Sequence, residues 1–344
     1  MTTNATGLRE SRRASRPHPD GPSDRRPGSG PNRPDSGLTG GTGQRRRKRT
    51  PASWLRRGGL STLVFAMPLI LVFGLFSWWP IVRATVMSFQ QTNLVTAPTF
   101  VGWDNFVHVL HDPLLPTAIG NTVWFAVLAL VFGYPLPLVM AVLMSELRRA
   151  KGFFSALVYL PVVVPPVVAV LLWKFFYDGS ATGVFNTILG FVGIPPQPWL
   201  QNAGTAMPSL VLEATWAAAG GTVIIYLAAL LSVPPELYDA AEVDGARVWR
   251  KIWHVTLPQL RGVLFVTLIL QVIGTAQVFL EPYLFTGGGP NNSTTTILLM
   301  IYDYAFANST GGDYGSATAL SIMLAVVLAT LSILYFRLTK KWSV

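Results

Sequence analysis

Six stretches of this chain are apolar over lengths that a soluble helix does not need, and they restrict the fold more than any other feature. The first, LSTLVFAMPLILVFGLFSWWPIV, covers 60–82, and the others cover 119–144, 153–176, 207–233, 262–285 and 316–338. A bilayer core of about 30 Å takes about 20 apolar residues as helix, because backbone amides in hydrocarbon must be satisfied within the segment. The spacing therefore predicts an all-α integral membrane protein with six transmembrane helices. A mean hydropathy of +0.43 with only 12% charged residues agrees, since soluble domains carry about 25%. Trp78, Trp79 and Trp173 suit the ends of spans, where aromatic rings meet the headgroups.

The formal charge of +10 is not spread over the chain: residues 1–57 hold fourteen Lys/Arg and four Asp/Glu, and the remainder holds twelve of each. That tail is rich in Arg, Pro, Gly and Ser, with too little apolar surface to offset the entropy of ordering, and reads as a disordered cytoplasmic segment. Beside a span, its Arg45–Arg49 run is read as topogenic and attracted to lipid headgroups, not as a nucleic-acid site. A secretory signal peptide is excluded by the length of the basic region and the lack of a small-residue cleavage site. Without cysteine, disulfides, thiol nucleophiles and Cys-based metal sites are excluded as well.

Charges between the spans set the orientation. Arg148, Arg149 and Lys151 lie between spans two and three, Arg247, Arg250, Lys251 and Arg261 between four and five, and Arg337, Lys340 and Lys341 at the end of span six. With the tail this side collects twenty-four basic residues, against Arg83 and Lys174 on the other. Both termini are thus placed in the cytoplasm, in a multi-pass protein of the bacterial plasma membrane.

On that side lies ELYDAAEVDGARVWRKIWHVTLP, from Glu236 to Pro258. Pro234 and Pro235 stop span four, and Glu236 opens a short helix expected to reach about Ala246, an acid near its N-terminus complementing the dipole. Ala240 and Ala241 keep one face low, and Gly245 permits a turn that side chains disfavour. Val248, Ile252 and Val255 share a face of the next segment, and Pro258 marks its expected boundary with span five.

The spacing of Asp239, Ala240, Ala241, Gly245, Val255, Leu257 and Pro258 resembles the EAA loop of permease subunits in binding-protein-dependent ABC importers. Aspartate stands where that family usually has glutamate, and valine where isoleucine is usual. FVGWDNF, GNTVWFAV, YLPVVVPPVVAVLLWKFFYD and LFTGGGPNNSTTT are similar to its carbohydrate branch, of the maltose-permease type, over roughly 60–340. The resemblance implies a type I ABC importer permease fold in 58–344, with a coupling loop at 234–260. It also implies four partners: a second permease, two cytoplasmic ATPase subunits and an extracytoplasmic sugar-binding protein. On that reading Asp239 accepts from a basic group of the ATPase, Ala240 and Ala241 allow close docking, Asp244 caps or orients the turn, and Gly245 makes it. Leu257 and Pro258 complete the coupling set. The chain has no phosphate-binding G-x-x-x-x-G-K-[ST] loop, so ATP and magnesium belong to the partner and this chain itself takes no cofactor.

Polar side chains inside spans are costly and point to function. Read as one helix, 262–285 brings Thr267, Gln271, Gly274, Gln277 and Glu281 into an arc of about 120°, with Gln271 about 15 Å from the inner end. Amides and carboxylates beside aromatics suit sugar rings, and span four adds Glu213 and Trp216. The alternative for each is a hydrogen bond between helices. Gly220, Gly221, Pro165 and Pro166 read as packing and kink positions or as hinges, and the Gly287–Asn292 loop as a flexible polar surface. The cargo is read as a di- or oligosaccharide; glycerol phosphate, a polyamine or a peptide stays open. A membrane-bound glycosyltransferase would need paired carboxylates or metal ligands in its loops, whereas Asp104, Asp112, Asp178, Asp303 and Asp313 are scattered. A passive channel would leave the inner loop's spacing unexplained.

Overall fold

Proline decides much of how these apolar stretches become helices. The computed structural model describes residues 60–146, 151–307 and 311–339. The tail at 1–57, the Arg148–Arg149 pair and Lys340–Lys341 lie outside them. Of two units, Met1–Phe65 and Ala66–Val344, the first is described only where its last residues open a helix.

That helix, α1 (Leu60–Phe73), continues through a π turn at Gly74–Trp78 into α2 (Trp79–Met87). A two-stranded antiparallel ribbon, β1 (Gln90–Gln91) and β2 (Thr99–Phe100), leads to α3 (Asp104–Leu110). Next, α4 (Leu115–Leu128), a π turn at Ala129–Gly133 and α5 (Pro135–Glu146) form one span. After α6 (Lys151–Val163), α7 (Pro166–Phe176) and α8 (Val184–Gly190) comes α9 (Ala203–Leu231), the long central helix against which α4, α5, α6 and α7 pack. Beyond it, α10 (Pro235–Val243) and α11 (Val248–Lys251) lead through a π turn at Ile252–Thr256 into α12 (Leu257–Ala276). A π turn at Pro282–Thr286, the short α13 (Ile297–Tyr302) with its π turn Asp303–Ala307, and α14 (Tyr314–Thr339) complete the described chain.

Three of these π turns share one cause. Each ends two residues before a proline: Gly74–Trp78 before Pro80, Ala129–Gly133 before Pro135, and Ile252–Thr256 before Pro258. A proline inside a helix lacks its N–H and crowds the carbonyl four residues back; widening the preceding turn relieves that crowding and lets the helix continue. Pro258 is therefore no boundary. The helix that carries the fifth apolar stretch runs unbroken from Val248 to Ala276, starting earlier and ending earlier than 262–285.

The third apolar stretch behaves differently. Pro165 precedes Pro166 and is held extended at φ −56°, ψ 135°, as the steric demand of a following proline requires. Helices α6 and α7 are thereby bent by 104° relative to one another. Five helices are long and apolar enough to cross a membrane, or six if the bent pair is one span. Trp173, on α7, is not at an interface but buried in an aromatic cluster with Tyr177, Phe185 and Trp216.

Close approach of α6 to α9 depends on Gly220, where a Cβ would stand 2.4 Å from the Val158 carbonyl oxygen and 2.7 Å from Val162 Cγ2. Gly221 faces open space, so only the first of the pair is a packing glycine. Buried Ala141, Met144, Val158, Val223 and Tyr226 form the core at this crossing. Polar ties fasten α12: the Tyr226 hydroxyl pairs with Thr267 Oγ1 at 2.8 Å, and the Tyr134 hydroxyl donates to the Leu264 carbonyl at 2.6 Å.

Candidate functional site

Two features stand at opposite ends of the long helices: the turn between α9 and α11, and a cavity beside the far end of α12.

At the turn, the Ala246 N–H donates to the Ala241 carbonyl and the Gly245 N–H to the Glu242 carbonyl, at 2.8 and 2.9 Å. This paired closure is the Schellman motif, which needs a left-handed residue just past the helix; Gly245 supplies it at φ +72°. The helix ends at Val243, three residues short of the expected Ala246, because that reversal begins at Asp244. Among the described residues the Asp244 side chain makes no hydrogen bond, so the turn is not closed by it. Instead Lys251 reaches back to Glu242 in an ion pair, and the Tyr238 hydroxyl meets Thr256 Oγ1 at 3.2 Å. The hydrogen bond from Lys251, and then its charge, hold the Glu242 carboxyl below the usual carboxylate range. This contact is thus present at neutral pH and is lost as pH falls through that lowered range.

Asp239 and Ala240 are exposed, Ala241 is half-buried, Leu257 is half-buried and Pro258 exposed. Around them Val243, Val248, Trp249 and Trp253 also expose large apolar surfaces, a patch that an isolated water-facing loop would not hold.

The cavity encloses about 530 Å³ and is lined from three directions. The π turn and start of α5 contribute Gly133, Tyr134 and Pro137; α9 contributes Thr215, Ala218 and Thr222; α12 contributes Thr267, Gln271 and Gly274. Gln277, Phe279 and Glu281 close it. The arc drawn through 267–281 assumed one helix, yet α12 ends at Ala276 and Gln277 leaves helical geometry at φ −110°. Gln277 and Glu281 reach the cavity because the chain turns over its mouth. Gln271 stands five residues from this end of the helix, about 7.5 Å by rise, not midway along it.

Glu213 and Trp216 are not in the lining. Glu213 is 1% exposed, its Oε2 finds no hydrogen-bond partner among the described residues, and it lies within Coulombic reach of Glu281 and Tyr177. Trp216 packs on Trp173. Both belong to the layer behind the cavity wall. Thr215 and Thr222 were missed, although their seven-residue spacing with Ala218 and Ala219 between them marks one face of α9.

Beyond Phe285 the GGGPNN loop is tied by hydrogen bonds. Thr294 Oγ1 donates to the Gly289 carbonyl at 2.8 Å, and Asn121 Nδ2 donates to the Asn292 and Thr295 carbonyls at 2.7 and 2.9 Å. A Cβ at Gly288 would lie 2.5 Å from Thr295 Oγ1, so the loop folds closely on itself and is tied to α4 through Asn121.

Residues 133–344 match the family described as binding-protein-dependent transport system inner membrane component. The chain belongs to that family. As such a component it is similar to the arabinooligosaccharides transport system permease protein AraP of Halalkalibacterium halodurans, 34% identical over 80% of this chain and 86% of that protein. It is likewise 34% identical to the lactose transport system permease protein LacF of Rhizobium radiobacter, over 79% of this chain and 92% of that one. Among solved structures, a chain of a bacterial ABC transporter involved in import of the acidic polysaccharide alginate matches with a TM-score of 0.73 and 28% identity, covering 83% of this chain and 98% of that chain. The inner membrane component is thus a multi-pass membrane protein whose fold is that of an ABC importer permease.

Proposed function

We propose that this chain is the permease subunit of an ABC importer for a neutral di- or oligosaccharide. The observation that carries the reading is the cavity wall: two amides, a carboxyl, four threonine hydroxyls and three aromatic rings, with no lysine, arginine or histidine among the described lining residues. Hydroxyl-rich rings require such a mixture of edge hydrogen bonds and flat apolar contact. Relatives named for arabinooligosaccharides, trehalose/maltose and lactose support the sugar assignment. Others are named for sn-glycerol-3-phosphate, but a phosphate would meet Glu281 without a compensating base.

On this reading the α10–α11 turn seats in a cytoplasmic ATPase that binds ATP and magnesium, with Asp239 accepting from a basic group and Ala240 and Ala241 at the contact. Leu257 and Pro258 lie where the docked turn enters the span. A second permease and an extracytoplasmic binding protein complete the complex, and alternating access opens the cavity first to one side and then to the other. On the same reading both termini face the cytoplasm.

Gln271→Ala combined with Glu281→Ala tests the cavity. In a reconstituted complex the half-saturation concentration for the transported sugar should rise about tenfold or more, since each lost hydrogen bond leaves a desolvated partner. Unchanged half-saturation and rate would remove these residues from the substrate site.

A further inference from the structure

A chain of touching aromatic rings leads out of the cavity. Phe279, part of the cavity wall, stacks on Tyr283 with centroids 5.2 Å apart and planes 15° from parallel. Tyr302 lies 5.2 Å from Phe279 and 4.8 Å from Tyr283, and Phe306 continues the row at 5.1 Å from Tyr302. The Tyr283 and Tyr302 hydroxyls pair at 3.1 Å, and Asp303 follows Tyr302 in sequence.

A second aromatic group in the same chain shows what packing alone produces. Trp173, Tyr177 and Phe285 pack in one buried cluster and are 9%, 1% and 3% exposed. In the row, Tyr283 is 39% and Phe306 63% exposed. Rings that only filled a core would be covered; these follow one another in stacked or tilted contact in steps of about 5 Å, and Tyr283 and Phe306 remain exposed. All four belong to the segment between the end of α12 and the start of α14, at the end of the bundle away from the α10–α11 turn.

We infer that Phe279, Tyr283, Tyr302 and Phe306 form a second carbohydrate subsite, a track on which sugar units of an oligosaccharide beyond the one in the cavity lie against ring faces. The inference rests on the carbohydrate reading above. Continuity with the cavity selects this occupant: a chain bound at Gln271 and extending past Phe279 meets the row next. Aromatic faces cover the apolar faces of pyranose or furanose rings, and the paired phenols supply hydrogen bonds at their edges. Such a track discriminates by chain length, whereas the cavity discriminates by the nature of the sugar unit.

The test uses the full complex in proteoliposomes with arabino- and malto-oligosaccharide series, each from dimer to hexamer. Phe306→Ala and Tyr302→Ala, singly and together, are compared with Tyr302→Phe, which keeps the ring. With one binding protein throughout, its own length preference cancels between variants. The double variant should raise the half-saturation concentration about tenfold for the hexamer and less than about twofold for the dimer, with Tyr302→Phe near the parent. Equal effects at both lengths would overturn the track. So would loss of the second permease from the purified variant complex, which would assign these rings to a subunit interface. If neither series is carried by the parent complex, the carbohydrate reading itself fails, an outcome separate from the other two.

Discussion

Gly245→Val should sharply reduce uptake while the chain still inserts and folds in the membrane. The Schellman closure fixes residue 245 at φ +72°, a region that costs an ordinary side chain about 1–2 kcal/mol and a β-branched one more. Nothing lies within 4 Å of a Cβ built there, so the fault is purely conformational: the chain cannot reverse after Val243, and the two arms no longer hold their mutual angle. Because the turn lies outside the spans, the bundle is untouched. Transport of labelled sugar should fall at least about tenfold with valine, and asparagine, which tolerates the left-handed region, should lose much less. Immunoblots of the membrane fraction should show equal amounts of each variant. Normal uptake by the valine variant would dismiss the turn as the coupling element.

The second large effect is structural. Gly220→Ala places a methyl group 2.4 Å from the Val158 carbonyl, a contact that only separation of α6 from α9 can relieve. Overpacking of this kind costs about 3 kcal/mol, and the loss falls on the core of Ala141, Met144, Val158, Val223 and Tyr226. Thermal unfolding in detergent should shift down by several degrees and the yield of folded protein should drop. Gly221→Ala is the control: its Cβ meets nothing, and helix propensity favours alanine by about 1 kcal/mol. Equal midpoints for the two variants would refute the close approach of α6 and α9.

Much of this architecture could be read from residue order, and the failures have definite causes. Long apolar runs located the apolar helices, and the spacing from Asp239 to Pro258 located the turn, because both are properties of local sequence. Pro165–Pro166 signalled a kink, but not that α7 would leave at 104°. Pro258 was misjudged because the widened turn that accommodates it leaves no trace in residue type. Glu213 and Trp216 show a further limit: helical periodicity fixes an angle on one helix but not which neighbour that angle faces. Here it faces Tyr177 and Trp173, behind the cavity wall. Gln277 and Glu281 reached the cavity for a reason other than the one that picked them, through a bend in the chain after Ala276.

The unbroken run from Val248 to Ala276 gives the molecule a lever. One end carries Trp249 and Trp253 beside the turn, and the other carries Gln271 on the cavity wall, about 35 Å away by helical rise. If an ATPase holds the turn, a tilt of about 5° at that end sweeps Gln271 through about 3 Å, a displacement on the scale of a hydrogen bond. Spin labels at Trp249 and Val266, both exposed on this rod, should keep one distance throughout the ATP cycle; a change would show that the lever flexes at its π turn. Force applied by one subunit would thus arrive at the sugar along a single piece of backbone, without passing through the rest of the bundle.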